Sequence, residues 1–106
     1  MKKNCFVVLL ILILVACSGP DTEGKTYRIW YHGNGNTGGF PPEDNHLYIS
    51  GEPAEVKDKN TLYKDGYKFL DWNTKPDGDG DTYKVGDTIT VTNYSIFLHA
   101  IWVKLP

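Results

Sequence analysis

The sequence predicts a mainly β protein, α+β at most, and two observations support this fold class. Apolar and polar residues alternate over several short stretches, most clearly in residues 26–32 and 96–103, and alternation of this period is typical of strands with one buried face. Segments rich in Gly, Asn, Asp and Pro separate these stretches and favour turns. No stretch recurs along the chain, so we expect one small sheet domain.

Residues 1–16 have the pattern of a secretory leader. Lys2 and Lys3 precede an unbroken apolar run over residues 6–15, which is much shorter than the roughly 20 apolar residues of a membrane-spanning helix. The run ends in Leu14-Val15-Ala16-Cys17, which resembles the lipobox of bacterial lipoproteins. The resemblance implies a lipoprotein signal peptide over 1–16, cleavage before Cys17, and acylation of that cysteine. The alternative is an ordinary signal peptide with a coincidental cysteine.

An acylated Cys17 makes the membrane a partner of this chain. Each buried methylene contributes roughly 0.8 kcal/mol, so two or three acyl chains hold the protein in place. Residues 17–25 then form the lipidated cysteine and a flexible polar tether. We expect a cell-envelope location, at the outer membrane or the cell surface. Cys5 leaves with the leader, so no disulfide is predicted.

The charge balance argues against two classes of partner. Loss of Lys2 and Lys3 from the eleven basic residues leaves nine against thirteen acidic ones, a net charge near −4. An acidic domain is a poor partner for nucleic acid and for anionic lipid headgroups.

The first strand spans residues 26–32, and its alternate residues form two sets. One set is predicted to face the core: Tyr27, Ile29 and Tyr31. The other faces outwards: Arg28, Trp30 and His32.

A glycine-rich segment follows and contains Gly33-x-Gly35-x-x-Gly38, formally a dinucleotide-binding pattern. That pattern requires a helix to begin at its last glycine. Phe40-Pro41-Pro42 opposes a helix, because a residue before proline prefers extended geometry. We therefore predict a glycine turn and no cofactor.

The middle of the chain gives weaker signals. Short apolar pieces at residues 46–49 and 54–56 indicate one or two short strands. Residues 57–64 favour a helical turn or two, with Leu62 and Tyr63 facing inwards.

The second half of the chain contains three further strands. Residues 67–73 form an aromatic strand in which Trp72 is out of phase with Tyr67 and Phe69, so Trp72 faces the other side or a β-bulge re-aims it. Alternating residues 87–92 form the next strand. The last strand, 96–103, has two faces: Leu98, Ala100 and Trp102 on one, and Phe97, His99 and Ile101 on the other.

The spacing of these residues carries a family resemblance. Four linked motifs occur in this order: Tyr27-x-Ile29-x-Tyr31-x-Gly33-Asn34-Gly35-x-x-Gly38-Gly39, Gly66-Tyr67-x-Phe69-x-x-Trp72-Asn73-Thr74, Asp77-Gly78-x-Gly80-x-x-Tyr83-x-x-Gly86-Asp87 and Leu98-x-Ala100-x-Trp102. Together they closely resemble the Listeria-Bacteroides repeat, a module of internalin-type and other bacterial surface proteins. The resemblance implies a β-grasp-like mixed sheet over residues 26–106 and a shared core: Tyr27, Ile29, Tyr31, Tyr67, Phe69, Trp72, Leu98, Ala100 and Trp102.

This chain departs from the family in two ways. Family members usually occur as tandem arrays, whereas one copy is present here. Trp30 stands where the family commonly has a small or β-branched residue, and it falls on the face opposite the predicted core.

The residues that could carry chemistry do not form a catalytic pattern. His32, His46 and His99 are scattered along the chain without a zinc or metalloprotease motif, and we predict that the protein is not an enzyme. Asp77, Asp79 and Asp81 have the spacing of the first ligands of a calcium loop. The sixth and twelfth positions of that loop are threonines, so these aspartates are weak metal candidates and a solvated turn is the alternative.

The candidate binding residues lie on the outward face. If the first and last strands are neighbours, a patch of Arg28, Trp30, His32 and His99 forms a recognition surface for a protein or glycan. Alternatively, the loop over residues 44–64 covers this patch. The sequence thus favours a non-catalytic binding or adhesion module, with a spacer lipoprotein or an aromatic-face carbohydrate binder as alternatives.

Overall fold

A computed structural model describes residues 24–106, which form a mainly β domain as predicted. Its strands are β1 (Ile29–His32), β2 (Pro53–Glu55), β3 (Tyr67–Asn73), β4 (Thr82–Tyr83), β5 (Thr88–Thr90) and β6 (Ile96–Lys104). Within this range the chain contains no helix, and so none that could cross a membrane. The predicted leader and Cys17 lie outside the described residues.

Four strands form a mixed sheet in the order β1-β6-β3-β4, and β2 pairs with β5 in a separate antiparallel ribbon. β1 runs parallel to β6, with Trp30 opposite Phe97 and His32 opposite His99. β3 runs antiparallel to both β6 and β4. The first and last strands are therefore neighbours in a mixed sheet, as the resemblance to β-grasp modules implied.

The core lies between one face of the four-stranded sheet and the β2–β5 ribbon. Five of the nine predicted core residues are buried: Ile29, Tyr31, Trp72, Leu98 and Ala100. Three more are half-buried against them: Tyr27, Phe69 and Trp102. Tyr67 is the exception, because it remains partly exposed beneath the Lys64 ammonium, which lies 4.2 Å from the ring centroid. The ribbon and adjoining loops close the core from the other side: Tyr48, Ala54, Val56, Leu62, Ile89 and Val91.

A β-bulge in β3 explains the phase of Trp72. Phe69 is opposite Trp102 and Asp71 is opposite Ile101, so Leu70 is the extra residue of the bulge. One inserted residue reverses the alternation after it, which brings Trp72 onto the core face and leaves Leu70 exposed. Of the two alternatives left open by the sequence, the bulge is the one found.

Residues 57–64 do not form the predicted helical turns. Leu62 is buried, but Tyr63 is half-exposed and forms an isolated bridge with Gly38. Strand-like pairing with the glycine-rich segment satisfies the Tyr63 backbone, because Thr37 N–H donates to Tyr63 O at 2.8 Å and Tyr63 N–H donates to Gly38 O at 3.1 Å. A helix would have to give up these hydrogen bonds.

The glycine-rich segment forms a turn, and no helix follows it within the described residues. Gly39 has φ +81°, and a Cβ there would lie 1.9 Å from the Thr61 carbonyl oxygen. Only glycine fits both the left-handed backbone and this close approach. The glycines thus bring the segment against residues 61–63, and the prediction of a glycine turn is confirmed.

Candidate functional site

The face of the four-stranded sheet opposite the core is partly exposed to solvent over β1 and β6; we call it the open face. Trp30 is 41% exposed and the neighbouring Phe97 is 50% exposed. His32 is exposed and His99 is half-buried beside it. Successive side chains of a strand point to opposite faces of the sheet. The residues between these four face the core, so the four side chains lie together on the other face. Residues 41–45 border Trp30 in a shallow pocket and leave 41% of its surface exposed.

Arg28 fixes the position of Trp30. Its guanidinium carbon lies 4.6 Å from the indole centroid, a cation–π contact. Nε and one terminal nitrogen donate to the Asp44 carbonyl oxygen at 3.3 and 3.2 Å. The guanidinium is therefore held between the ring and the loop beside β1.

That loop is itself anchored by a buried carboxylate. The Asp44 side chain accepts a hydrogen bond from the Tyr48 hydroxyl at 2.6 Å and another from the His46 backbone N–H at 3.0 Å. Burial of Tyr48, followed by its hydrogen bond to Asp44, raises the pKa of the phenol. The chain of contacts from Tyr48 through Asp44 to Arg28 holds the Trp30 indole in place before any partner binds, and preorganisation of this kind reduces the entropic cost of binding.

His32 and His99 stack across β1 and β6, with ring centroids 5.1 Å apart and an interplanar angle of 19°. His32 also stacks on Phe97 at 6.0 Å. Burial, followed by the charge of the neighbouring His32, lowers the pKa of His99. Both effects disfavour the charged imidazolium at His99.

Sequence reasoning missed Asp71, which also belongs to the open face. It lies opposite Ile101 on β6 and is only 7% exposed. Burial raises the pKa of its carboxyl group, and Lys84 partly opposes that effect. The β-bulge determines which face Asp71 occupies. Alternation along β3 could have placed Asp71 on the open face only if the position of the bulge had been known.

The acidic turn after β3 does not gather its carboxylates around a metal position. Within residues 24–106 no three His, Cys, Asp or Glu side chains are close enough to share a metal ion. Asp77 instead accepts the Asp79 backbone N–H at 3.0 Å, a local turn contact. The weak candidates Asp77, Asp79 and Asp81 are thus not brought together as ligands.

Asn73, which sequence reasoning did not single out as a polar residue, organises this turn. Its side-chain oxygen accepts from the backbone N–H groups of Lys75 and Gly80 at 2.9 and 2.8 Å. Its amide donates to the Thr82 hydroxyl at 3.0 Å and to two turn carbonyls, those of Gly78 and Gly80. A Cβ on Gly80 would lie 2.9 Å from the Asn73 side-chain oxygen. Glycine at this position therefore allows the amide to sit inside the turn.

His46 lies apart from the other two histidines. Its Nε2 is 2.7 Å from a Glu52 carboxylate oxygen at the surface. The Ile49 backbone N–H, and secondarily His46, lower the pKa of Glu52. This pair closes the loop that leads into β2.

Comparison with known proteins gives a family match. The model of the Listeria-Bacteroides repeat domain matches residues 20–101. A protein of Evansella cellulosilytica provisionally described as a Gly-rich membrane protein is 38% identical over 76 residues, which cover 72% of this chain and 9% of that protein. A second, provisionally described as a membrane protein of the same organism, is 34% identical over 80 residues, which cover 76% of this chain and 12% of that protein. The chain thus spans about a tenth of the length of these relatives. No solved structure matches the chain.

Proposed function

Because the chain belongs to the Listeria-Bacteroides repeat family, we propose that it is a cell-envelope protein, held at the membrane through Cys17, that acts as a non-catalytic binding module. The family match and the membrane-protein names of its relatives fit an envelope protein. Anchoring through Cys17 rests on the lipobox-like sequence before it.

One observation carries the proposed binding role: Trp30 and Phe97 lie side by side on the open face, and both remain exposed to solvent. Exposed aromatic residues next to an arginine are the side chains that contribute most to protein interfaces. Arg28 holds Trp30 in one orientation, so the indole loses little freedom when a partner binds.

The partner that this face fits best is a protein with an acidic contact surface. Arg28 and Lys68 both belong to the open face, whereas its Asp71 carboxylate is buried and has a raised pKa. Glu43 is exposed beside Trp30, so two basic side chains face one exposed carboxylate there. Charge complementarity therefore favours an acidic surface.

Replacing Trp30 by alanine tests the binding role. We expect Trp30→Ala to reduce partner affinity at least about tenfold, or 1.4 kcal/mol, while the melting temperature stays close to the wild type. The chain 18–106, which contains the whole described core, is immobilised and exposed to envelope proteins of the producing bacterium. Proteins retained by the wild type are identified, purified and titrated against both chains.

Tyr63→Ala is the matched control, because Tyr63 is an exposed aromatic that lies against Gly38 and does not line the pocket beside Trp30. It should bind the identified protein as well as the wild type. Equal binding by Trp30→Ala and the wild type would contradict the proposal. A large fall in the melting temperature of Trp30→Ala would instead assign Trp30 to the core.

Replacing Cys17 by alanine tests the anchor. We expect the wild-type protein in the membrane fraction, labelled by radioactive palmitate, and Cys17→Ala unlabelled and in the soluble fraction, because the acyl chains provide the membrane affinity. Fractionation and labelling are measured on the full chain in the same cells. Membrane retention of Cys17→Ala without label would exclude lipidation as the anchor.

A further inference from the structure

A second candidate site lies away from Trp30, in a groove between the turn that follows β3 and the connection from β5 to β6. The groove has a volume of about 360 Å³, within the range of small-molecule sites, about 300–1,000 Å³. Ile89 and Ile96 form its buried floor. Phe97 stands at the border between this groove and the open face.

The lining of the groove combines hydroxyl groups, aromatic rings and one carboxylate. None of the residues that line it is basic, so phosphate and other anions find no countercharge there. Asp81 supplies the carboxylate. Six residues supply hydroxyl groups, each able to donate and accept a hydrogen bond: Thr74, Tyr83, Thr90, Thr92, Tyr94 and Ser95.

Backbone contacts hold these polar groups in place while leaving them available. Asp81 N–H donates to Thr74 Oγ1 at 2.9 Å, and Thr74 N–H donates to the Asp81 carbonyl at 3.0 Å. Within residues 24–106 the Asp81 carboxylate itself makes no hydrogen bond. Ser95 Oγ accepts from Arg28 N–H at 3.0 Å, which leaves its own proton free to donate into the groove.

The aromatic rings supply the apolar half of the site. Tyr94 is 65% exposed and lines the groove together with Tyr83 and Phe97. Burial, followed by the proximity of Asp81 and Tyr94, raises the pKa of the Tyr83 phenol, so its hydroxyl remains protonated at neutral pH.

A pyranose ring has the complementary chemistry: C–H groups on its faces pack on aromatic rings, and hydroxyls around its edge pair with hydroxyl and carboxylate groups. We propose that this groove binds one or two sugar residues of a neutral glycan. This site shares Phe97 with the open face but does not include Trp30, and the proposal goes beyond the protein-binding role.

Titration of the chain 18–106 with an array of neutral glycans, followed by NMR titration with the disaccharides that bind, tests the proposal. We expect saturable amide shifts confined to residues of the groove, and loss of affinity by at least about tenfold in Tyr94→Ala. Tyr94→Phe should retain most of the affinity, since it keeps the stacking ring. Asp81→Asn should weaken binding without changing the melting temperature, because the carboxylate is exposed.

Two control variants make the result specific. Phe40→Ala removes an exposed aromatic outside the groove and should bind sugar normally. Trp30→Ala should also bind sugar normally, so failure of the glycan site and failure of the protein-binding role are distinguishable. Absence of binding to every neutral glycan, shifts outside the groove, or unchanged affinity in Tyr94→Ala would each overturn the proposal, as would preferential binding of anionic sugars.

Discussion

Replacing Trp72 by alanine is expected to remove about 3–5 kcal/mol from the free energy of unfolding. Trp72 has 0% exposure and packs edge-to-face on Tyr31 and Phe69, with ring centroids 4.8 and 5.1 Å away. Its indole N–H donates to the Lys57 carbonyl at 2.9 Å, so the substitution also leaves that acceptor without its partner. Domains of this size are stable by about 5–15 kcal/mol, and Trp72→Ala would be marginally folded.

Urea unfolding followed by circular dichroism measures this loss without relying on tryptophan fluorescence. Trp72→Phe should be intermediate, because phenylalanine keeps much of the apolar contact and lacks the N–H donor. Phe40→Ala, at an exposed position, is the control and should change stability by less than about 0.5 kcal/mol. A loss below about 1 kcal/mol in Trp72→Ala would show that the ribbon and the sheet do not depend on this side chain for packing.

The sequence predicts those strands in which apolar and polar residues alternate over enough positions to show a period of two. β3 was predicted with the bounds that the structure gives, and β6 ends one residue beyond the predicted end. β4 was missed because it contains only Thr82 and Tyr83, too few residues for a period of two. The β-bulge could be offered only as one of two explanations for the phase of Trp72, since local pattern does not fix strand pairing.

The helical turns predicted over residues 57–64 do not form, for a different reason. Their backbone pairs with the glycine-rich segment around Gly38, and contacts between segments far apart in sequence override weak local preference. The candidate site shows the same limit. Alternation placed Trp30 and His99 on one face, but the Arg28–Asp44 contact and the groove around Tyr94 depend on loop positions that no local pattern specifies.

Asn73→Ala is the second substitution with a large expected effect, about 2–4 kcal/mol, since all the hydrogen bonds of one buried side chain are lost together. The Asn73 side chain is 1% exposed and makes five hydrogen bonds, four to the turn that joins β3 to β4 and one to Thr82 in β4. Urea unfolding measures the loss. Asn93→Ala is the matched control at an exposed position and should leave stability unchanged.

Asn73→Asp tests the acceptor and donor roles of the Asn73 amide separately. The carboxylate can still accept from the Lys75 and Gly80 N–H groups, but it cannot donate to Thr82, and its charge is buried beside an acidic turn. The two N–H donors lower the pKa of this new carboxyl group, whereas burial and the acidic turn raise it. We expect burial and the acidic turn to outweigh the donors and to raise the pKa above its unfolded value of about 4. A raised folded-state pKa means that the folded chain binds more protons than the unfolded chain at pH values between the unfolded and folded pKa. Asn73→Asp should therefore lose stability as the pH rises through this range. The difference in unfolding free energy between wild type and Asn73→Asp should therefore grow from about pH 4 to about pH 7. A difference that does not vary with pH would contradict a raised pKa at position 73.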